Sequence, residues 1–387
     1  MGRDFDIALG KKIKSLREQL GLTLEQVAER LGFNSYQILS AIEGGTRTLK
    51  AAELTQISKV FHKDISFFLT GDSTPSSNFL VRWRCSSNSS GIKEKEAEFL
   101  LYCDNYYDLE RRLGLNHKCS LDSLNFDHSD LKNYSKINQI AQEKVLQLQL
   151  GSRPACILRK ILEDKYNVKI FHLDLNSFGS AASANGDFGA AMLINASESE
   201  GRRNFDLAHE FFHIITWDKF QGVDFSFGGR YYEDLETTAD SFASALLMPE
   251  TEIRNEFSKR LKDDGKIALV DLVGMAHEFV VSIDALLWRL VNLGLLSKEP
   301  VKKLLTDHRP QLNAIKAFSG LKSNEQECLL SKNYVHLSFK AFKMGLISKS
   351  RLATYLKVNV GDVAQALSRF GYRVEDDYNE ELVASGR

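Results

Sequence analysis

Phe205-Asp206-Leu207-Ala208-His209-Glu210-Phe211-Phe212-His213 is the stretch from which the rest of the chain is read. Its H-E-x-x-H order sets two imidazoles four residues apart. On an α-helix that is a rotation of about 40° and a rise of about 6 Å, so both rings reach one ion from one face. Glu210 points into the adjoining space, where a carboxylate that is not itself a ligand takes a proton from water activated by the metal. Phe205, Ala208, Phe212 and Ile215, with Phe211 and Ile214 beside them, give the helix a buried side. The alternative is a pair of histidines hydrogen-bonded within a core.

A catalytic zinc takes a third protein ligand and keeps one position open. Downstream, Glu236-Thr237-Thr238-Ala239-Asp240-Ser241-Phe242-Ala243-Ser244-Ala245-Leu246-Leu247-Met248-Pro249 is a second helical pattern, stopped by proline. It offers E-x-x-x-D: Glu236 as the third ligand, and Asp240 one turn on to accept a hydrogen bond from the far nitrogen of a ligand histidine. Glu233, Asp234 and Asp224 are rival acids nearby.

His209-Glu210-x-x-His213 followed by Glu236-x-x-Ala239-Asp240-x-Phe242-Ala243-x-x-Leu246-Leu247-Met248-Pro249 resembles the ImmA/IrrE family of zinc metallopeptidases. The resemblance runs from about Ile137 to about Leu296. It takes in Gly189–Asn195, which looks like the strand preceding the active helix. Members of that family are implicated in cleaving or inactivating helix-turn-helix repressors, so the resemblance implies a protein substrate. Gly189–Asn195, as an edge strand, would hold an extended peptide by main-chain hydrogen bonds; an interior strand is the other reading. Arg230, Tyr231, Tyr232 and His277 are candidates for stabilising charge at a tetrahedral intermediate.

Residues 5 to 70 read as five short helices, Phe5–Gln19, Thr23–Leu31, Ser35–Glu43, Lys50–Phe61 and Asp64–Leu69. Gly21, Gly32 with Asn34, and Gly44-Gly45 punctuate them, and Thr23 with Gln26 forms a capping box. The close second and third helices have the spacing of a helix-turn-helix. Gly21-Leu22-Thr23-Leu24-Glu25-Gln26-Val27-Ala28-Glu29-Arg30-Leu31-Gly32 and Ile42-Glu43-Gly44-Gly45-Thr46-Arg47 resemble the lambda-repressor-like, XRE-type DNA-binding domain. That resemblance implies a third helix in the major groove. Ser35, Tyr36, Gln37 and Ser40 would read base edges, Asn34 would cap, and Arg47 and Lys50 would touch phosphate. Lys11, Lys12, Lys14 and Arg17 gather basic charge on the first helix. A bundle that binds only protein is the competing view.

Asp72–Asn78 and Ser86–Gly91 read as linker around the apolar and basic Phe79–Arg84, where Trp83 is expected to pack on a neighbour, with nucleic acid as the alternative. Lys93–Leu113 has helical periodicity and reads as a spacer or a homodimer contact. Two helices ending near Leu150 and Tyr166, then strands over Val168–Leu173 and Ala190–Asn195, make an α+β pattern. Beyond Pro300, Tyr334–Met344, Lys349–Leu356 and Val360–Phe370 read as helices of a packing or dimerisation extension.

The formal net charge of −1 does not select a partner. No apolar run is long enough to span a bilayer, since Arg289 interrupts the longest, and the N-terminus lacks a signal-peptide core, so the cytosol is the expected compartment. Five cysteines, at 85, 103, 119, 156 and 328, form no C-x-x-C pair and fit reduced, inert thiols, with oxidation sensing by Cys85 or Cys103 as the alternative.

The expected fold is mainly α with an α+β part. It comprises a helix-turn-helix domain over 1–72, linker and spacer over 73–136, a zincin-like metallopeptidase over 137–300 and a helical region over 301–387. The expected function is a DNA-binding regulator whose zinc-dependent endopeptidase cleaves a repressor or the chain itself. His209, His213 and Glu236 would hold Zn2+, Glu210 would be catalytic and Asp240 orienting. Expected partners are double-stranded operator DNA and a protein substrate, with no membrane. The rival is a non-proteolytic transcription factor or antitoxin-like protein whose metallopeptidase fold senses a ligand or partner.

Overall fold

The computed structural model describes residues 2–19, 22–61, 65–69, 80–84, 90–115, 118–176, 179–220, 231–306 and 330–372. The first domain is built from α1 (Gly2–Gln19), α2 (Leu24–Arg30), α3 (Tyr36–Glu43), α4 (Ala51–Val60) and α5 (Ile65–Leu69). Its core draws Leu9 and Ile13 against Val27, Ala28, Leu39, Ile42, Ile57, Phe61 and Phe68. Thr23 caps α2 and closes a reciprocal box with Gln26. At Gly10, a Cβ would stand 2.3 Å from the Ile42 carbonyl oxygen, so glycine is what lets α1 touch the end of α3.

The second body is organised by a four-stranded sheet of β1 (Leu80–Arg84), β2 (Lys169–Leu173), β3 (Ala181–Gly186) and β4 (Gly189–Asn195), in the order β1-β3-β4-β2. β1 and β4 both pair antiparallel with β3, and β2 runs parallel to β4. Gly189–Asn195 is therefore an interior strand, which settles the open choice against an edge. β3 was not anticipated. Its Ala-Ala-Ser-Ala-Asn-Gly sequence lacks the β-branched and aromatic residues that mark strands, and its small side chains suit a strand covered on both faces.

Alternation along the strands divides two cores. Ile170, Ala181, Ala190, Met192 and Ile194 face α9 (Glu200–Ile215), with α7 (Tyr134–Gln147), α8 (Leu158–Tyr166) and α10 (Tyr232–Leu247) in the same cluster. α11 (Glu250–Arg260), α12 (Leu269–Glu278), α13 (Ile283–Asn292) and α14 (Lys298–Thr306) complete that side. Phe171, Leu173, Ala182, Ala184, Ala191 and Leu193 face the other way. They meet α6 (Ser90–Arg112) and the C-terminal helices α15 (Lys332–Lys343), α16 (Lys349–Leu356) and α17 (Val363–Ser368).

The helix read as a spacer and the helices read as an extension thus form one layer over the back of the sheet. Lys169 on β2 and Glu110 on α6 lock that layer with a 3.2 Å ion pair whose side chains are 0% and 2% exposed. The Tyr106 ring lies 5.3 Å from the ammonium. Arg289 does comparable work on the front: buried, it donates to the Met248 carbonyl at 3.1 Å and to Asn138 at 2.9 Å, joining α13 to α10 and α7. Burial pulls its guanidinium down to about 10. Among the described residues no helix is long and apolar enough to cross a membrane.

Candidate functional site

α9 crosses the front of the sheet with Asp206, His209, Glu210 and His213 all buried. Its start is fixed by contact with backbone: a Cβ on Gly201 would meet the Val281 carbonyl carbon at 2.5 Å. Phe211 and Phe212 set its register against α10 by packing on Phe242, with ring centroids 5.9 and 5.2 Å apart. That packing carries Glu236 and Asp240 to the histidines.

The imidazole Nε2 atoms of His209 and His213 are 3.0 Å apart. Each stands 3.2 Å from one oxygen of Glu236. Tetrahedral zinc with bonds near 2.0 Å separates its ligand atoms by about 3.3 Å, so the three groups already stand at nearly the spacing that ion imposes. They are the one trio of this kind among the described residues. His209 Nδ1 lies 2.8 Å from Asp240 Oδ1, so a proton on Nδ1 leaves the Nε2 lone pair facing the other two ligands. Burial opposes the charged form of Glu236, yet the close approach of the His209 and His213 rings prevails and holds its carboxyl well below the usual carboxylate range.

The other candidates fall elsewhere. Asp234 pairs with Lys132, and Glu233 is exposed. Asp224 and Arg230 lie outside the described residues. Tyr231 is exposed with its ring 5.0 Å from that of His128, Tyr232 begins α10, and His277 is exposed on α12. One feature was missed by the sequence reading. Arg202 pairs with the fully buried Asp206 at 3.2 Å and reaches Ser180 at 3.4 Å, tying the histidine helix to the start of β3. The i, i+4 spacing of Arg202 and Asp206 was visible, but the strand it reaches was not.

In the first domain Tyr36, Gln37 and Ser40 stand exposed on α3, while Leu39 and Ile42 turn inward. Ser35, not Asn34, caps the helix: its backbone is extended and its side chain accepts from the Gln37 amide at 3.2 Å. Arg47 is held by Glu53 through two hydrogen bonds, of 2.8 and 3.3 Å. Lys50 is exposed. Arg17 is withdrawn from the basic cluster, since it bonds both Glu43 oxygens at 2.7 and 2.9 Å with only 12% of its side chain exposed. Lys12 donates to the Phe67 carbonyl. Cys103 is fully buried and its thiol is pushed well above the ordinary value, first by that burial, which removes it from oxidation sensing. Cys85 lies outside the described residues.

Two family models match the chain. One, a peptidase model described as an IrrE N-terminal-like domain, covers residues 163–291, and one described as a helix-turn-helix domain covers residues 10–71. The chain joins a helix-turn-helix domain to an IrrE-like domain. The IrrE-like match contains β2, β3, β4, α9 and α10 and so every residue of the ligand trio. Comparison with curated proteins finds no match.

Proposed function

We propose that the chain is a DNA-binding regulator whose IrrE-like domain is a zinc-dependent endopeptidase acting on a regulatory protein, either a repressor or the chain itself. The observation that carries this reading is the mutual spacing of the His209, His213 and Glu236 ligand atoms beside a buried Glu210. His209, His213 and Glu236 would hold Zn2+, which when bound supplies Lewis acidity to polarise a carbonyl and lower the pKa of water. Glu210 then receives the proton from the attacking water and returns it to the leaving amine. Asp240 keeps His209 in the tautomer that presents Nε2. Burial of His209, Glu210 and His213 in the apolar shell of α9 and α10 strengthens the electrostatic interactions among them.

In the first domain, the exposure of Tyr36, Gln37 and Ser40 on α3 supports their role as readers of base edges. Asn34 and Ser35 form the turn before them, and Arg47 and Lys50 would touch phosphate. Specific DNA binding brings the peptidase domain to the operator, where its target is another protein of the same regulatory circuit or this chain.

The experiment is incubation of zinc-loaded wild type and Glu210→Gln with candidate repressors and alone, reading fragments by mass spectrometry. The variant should keep one zinc per chain and its operator affinity while losing cleavage by at least about a thousandfold. Equal target loss in both proteins would favour the non-proteolytic sensor.

A further inference from the structure

β1 lies between the helix-turn-helix domain and α6 in sequence, so the segment that leaves the first domain forms an edge strand of the second body. It pairs with β3 along its whole length, from Leu80 opposite Asn185 to Arg84 opposite Ala181. Which side of the metal centre this edge borders follows from α9. Arg202 precedes His209 by seven residues and Asp206 precedes His213 by seven, two turns in each case, so the four side chains form one stripe. Arg202 in that stripe donates to Ser180, the residue before β3. The histidines therefore lie on the β3 side of α9, away from β2.

The level along the strand is fixed as well. At one end Arg202 meets Ser180; at the other, Ile214 and Trp217 share a cavity of about 420 Å³ with Asn185 and Gly186. β3 and α9 thus run alongside in the same direction, with His209 level with the middle of the strand. Val81 and Arg82 are the β1 residues opposite that middle, across from Ala184 and Ser183.

An extended peptide crossing a metal centre is held best by adding to the neighbouring sheet edge, where main-chain N–H and C=O groups supply affinity whatever the side chains. Here that edge is occupied by the chain's own linker. We propose that β1 is a displaceable occupant of the substrate edge. An extended segment of a protein substrate pairs with β3 in its place, and the tether of the DNA-binding domain holds the edge shut until β1 leaves. This rests on the peptidase reading of the site and adds the conformational class of its substrate, an extended segment rather than a folded surface. Because β1 is tethered, its effective concentration is of millimolar order, so a free peptide at micromolar concentration does not compete with it.

The test uses the full-length chain and a fluorescein-labelled synthetic peptide carrying residues 78–88. Val81→Pro fixes φ and removes the Val81 N–H, and Val81→Ser keeps the backbone but weakens the half-buried apolar anchor of β1 on the back core. Both variants should bind the peptide at least tenfold more tightly than wild type by fluorescence anisotropy. Their β3 amides should exchange hydrogen faster, with protection restored by the peptide. Equal binding by wild type and variants, or β3 exchange unchanged in both variants, overturns the proposal. If Val81→Pro fails to fold, seen as fast exchange in β4 and α9 too, Val81→Ser and wild type under millimolar peptide decide by the same criteria.

A staple supplies an independent arm. Val81 and Ala184 are register partners packed on the same core, so Val81→Cys with Ala184→Cys can be oxidised across the strands. The stapled chain should lose protein cleavage and regain it on reduction; undiminished cleavage while stapled overturns the proposal. Peptide binding without cleavage by any form would instead sink the peptidase reading and leave the strand exchange standing.

Discussion

Asp240 exposes 45% of its side chain, yet its 2.8 Å contact with His209 Nδ1 would favour the proton on that ring nitrogen. Asp240→Ala should weaken zinc binding by about 10- to 100-fold with little change in folding, as read by competition with a chromophoric chelator. Unchanged affinity would mean that packing alone orients the ring. His172 makes a second residue-scale case. Burial, helped by the charges of Arg159 and Arg203, pulls its imidazole down to about 3, so the folded protein keeps it neutral. The unfolded chain titrates near 6.5 and binds the proton first. The stabilising contribution is complete above that value and is lost as pH falls toward 3, by on the order of several kcal/mol. His172→Gln should flatten the loss in urea melts between those limits; an identical slope in both proteins would remove His172 as the source. At this scale the sequence was most informative where ligands sit within one helix. His209, Glu210 and His213 are set by helical pitch alone, whereas the contact of Arg202 with Ser180 depends on a strand that small residues concealed.

Elements were legible in proportion to how far local chemistry decides them. The capping box of Thr23 and Gln26 was read correctly, because both partners lie within one turn. The cap of α3 was assigned one residue early, since Asn34 and Ser35 are equally good caps and only the extended backbone at Ser35 separates them. α6 was read as a helix, but its partners were hidden, because its apolar face meets Phe171 and Leu193 on the sheet and Tyr334 in the C-terminal helices, all distant in sequence. The seating of α9 yields a prediction at this level. Gly201 places the helix against the backbone of Val281 and Ser282, neither of which can yield as a side-chain end can. Gly201→Ala should therefore cost about 1 to 3 kcal/mol despite alanine's better helix propensity, and should shift the ligand trio enough to weaken zinc binding. A melting temperature at or above that of wild type would show that α9 slides without penalty.

At the scale of the whole molecule the sheet is a partition. Its front carries the candidate metal site, its back carries α6 and the C-terminal helices, and its outer edge carries β1, which follows the helix-turn-helix domain in sequence. Arg30 on α2 also pairs with Glu94 on α6, so the back layer touches the first domain directly. The Lys169–Glu110 pair is the point where this layer is fixed to the sheet, and its energetics are testable. Burial pulls the Lys169 ammonium below its ordinary value, while the Glu110 charge works to keep it protonated. Removing either partner strands a charge in the core, so Lys169→Met and Glu110→Leu should each destabilise by about 3 to 5 kcal/mol. The double replacement removes both desolvation costs along with the attraction and should recover most of that loss. Denaturant melts of the wild type, the two single variants and the double variant form the cycle. Losses that simply add would show that the pair does not couple, and that the apolar cluster around Phe171 and Tyr334 alone secures the back layer.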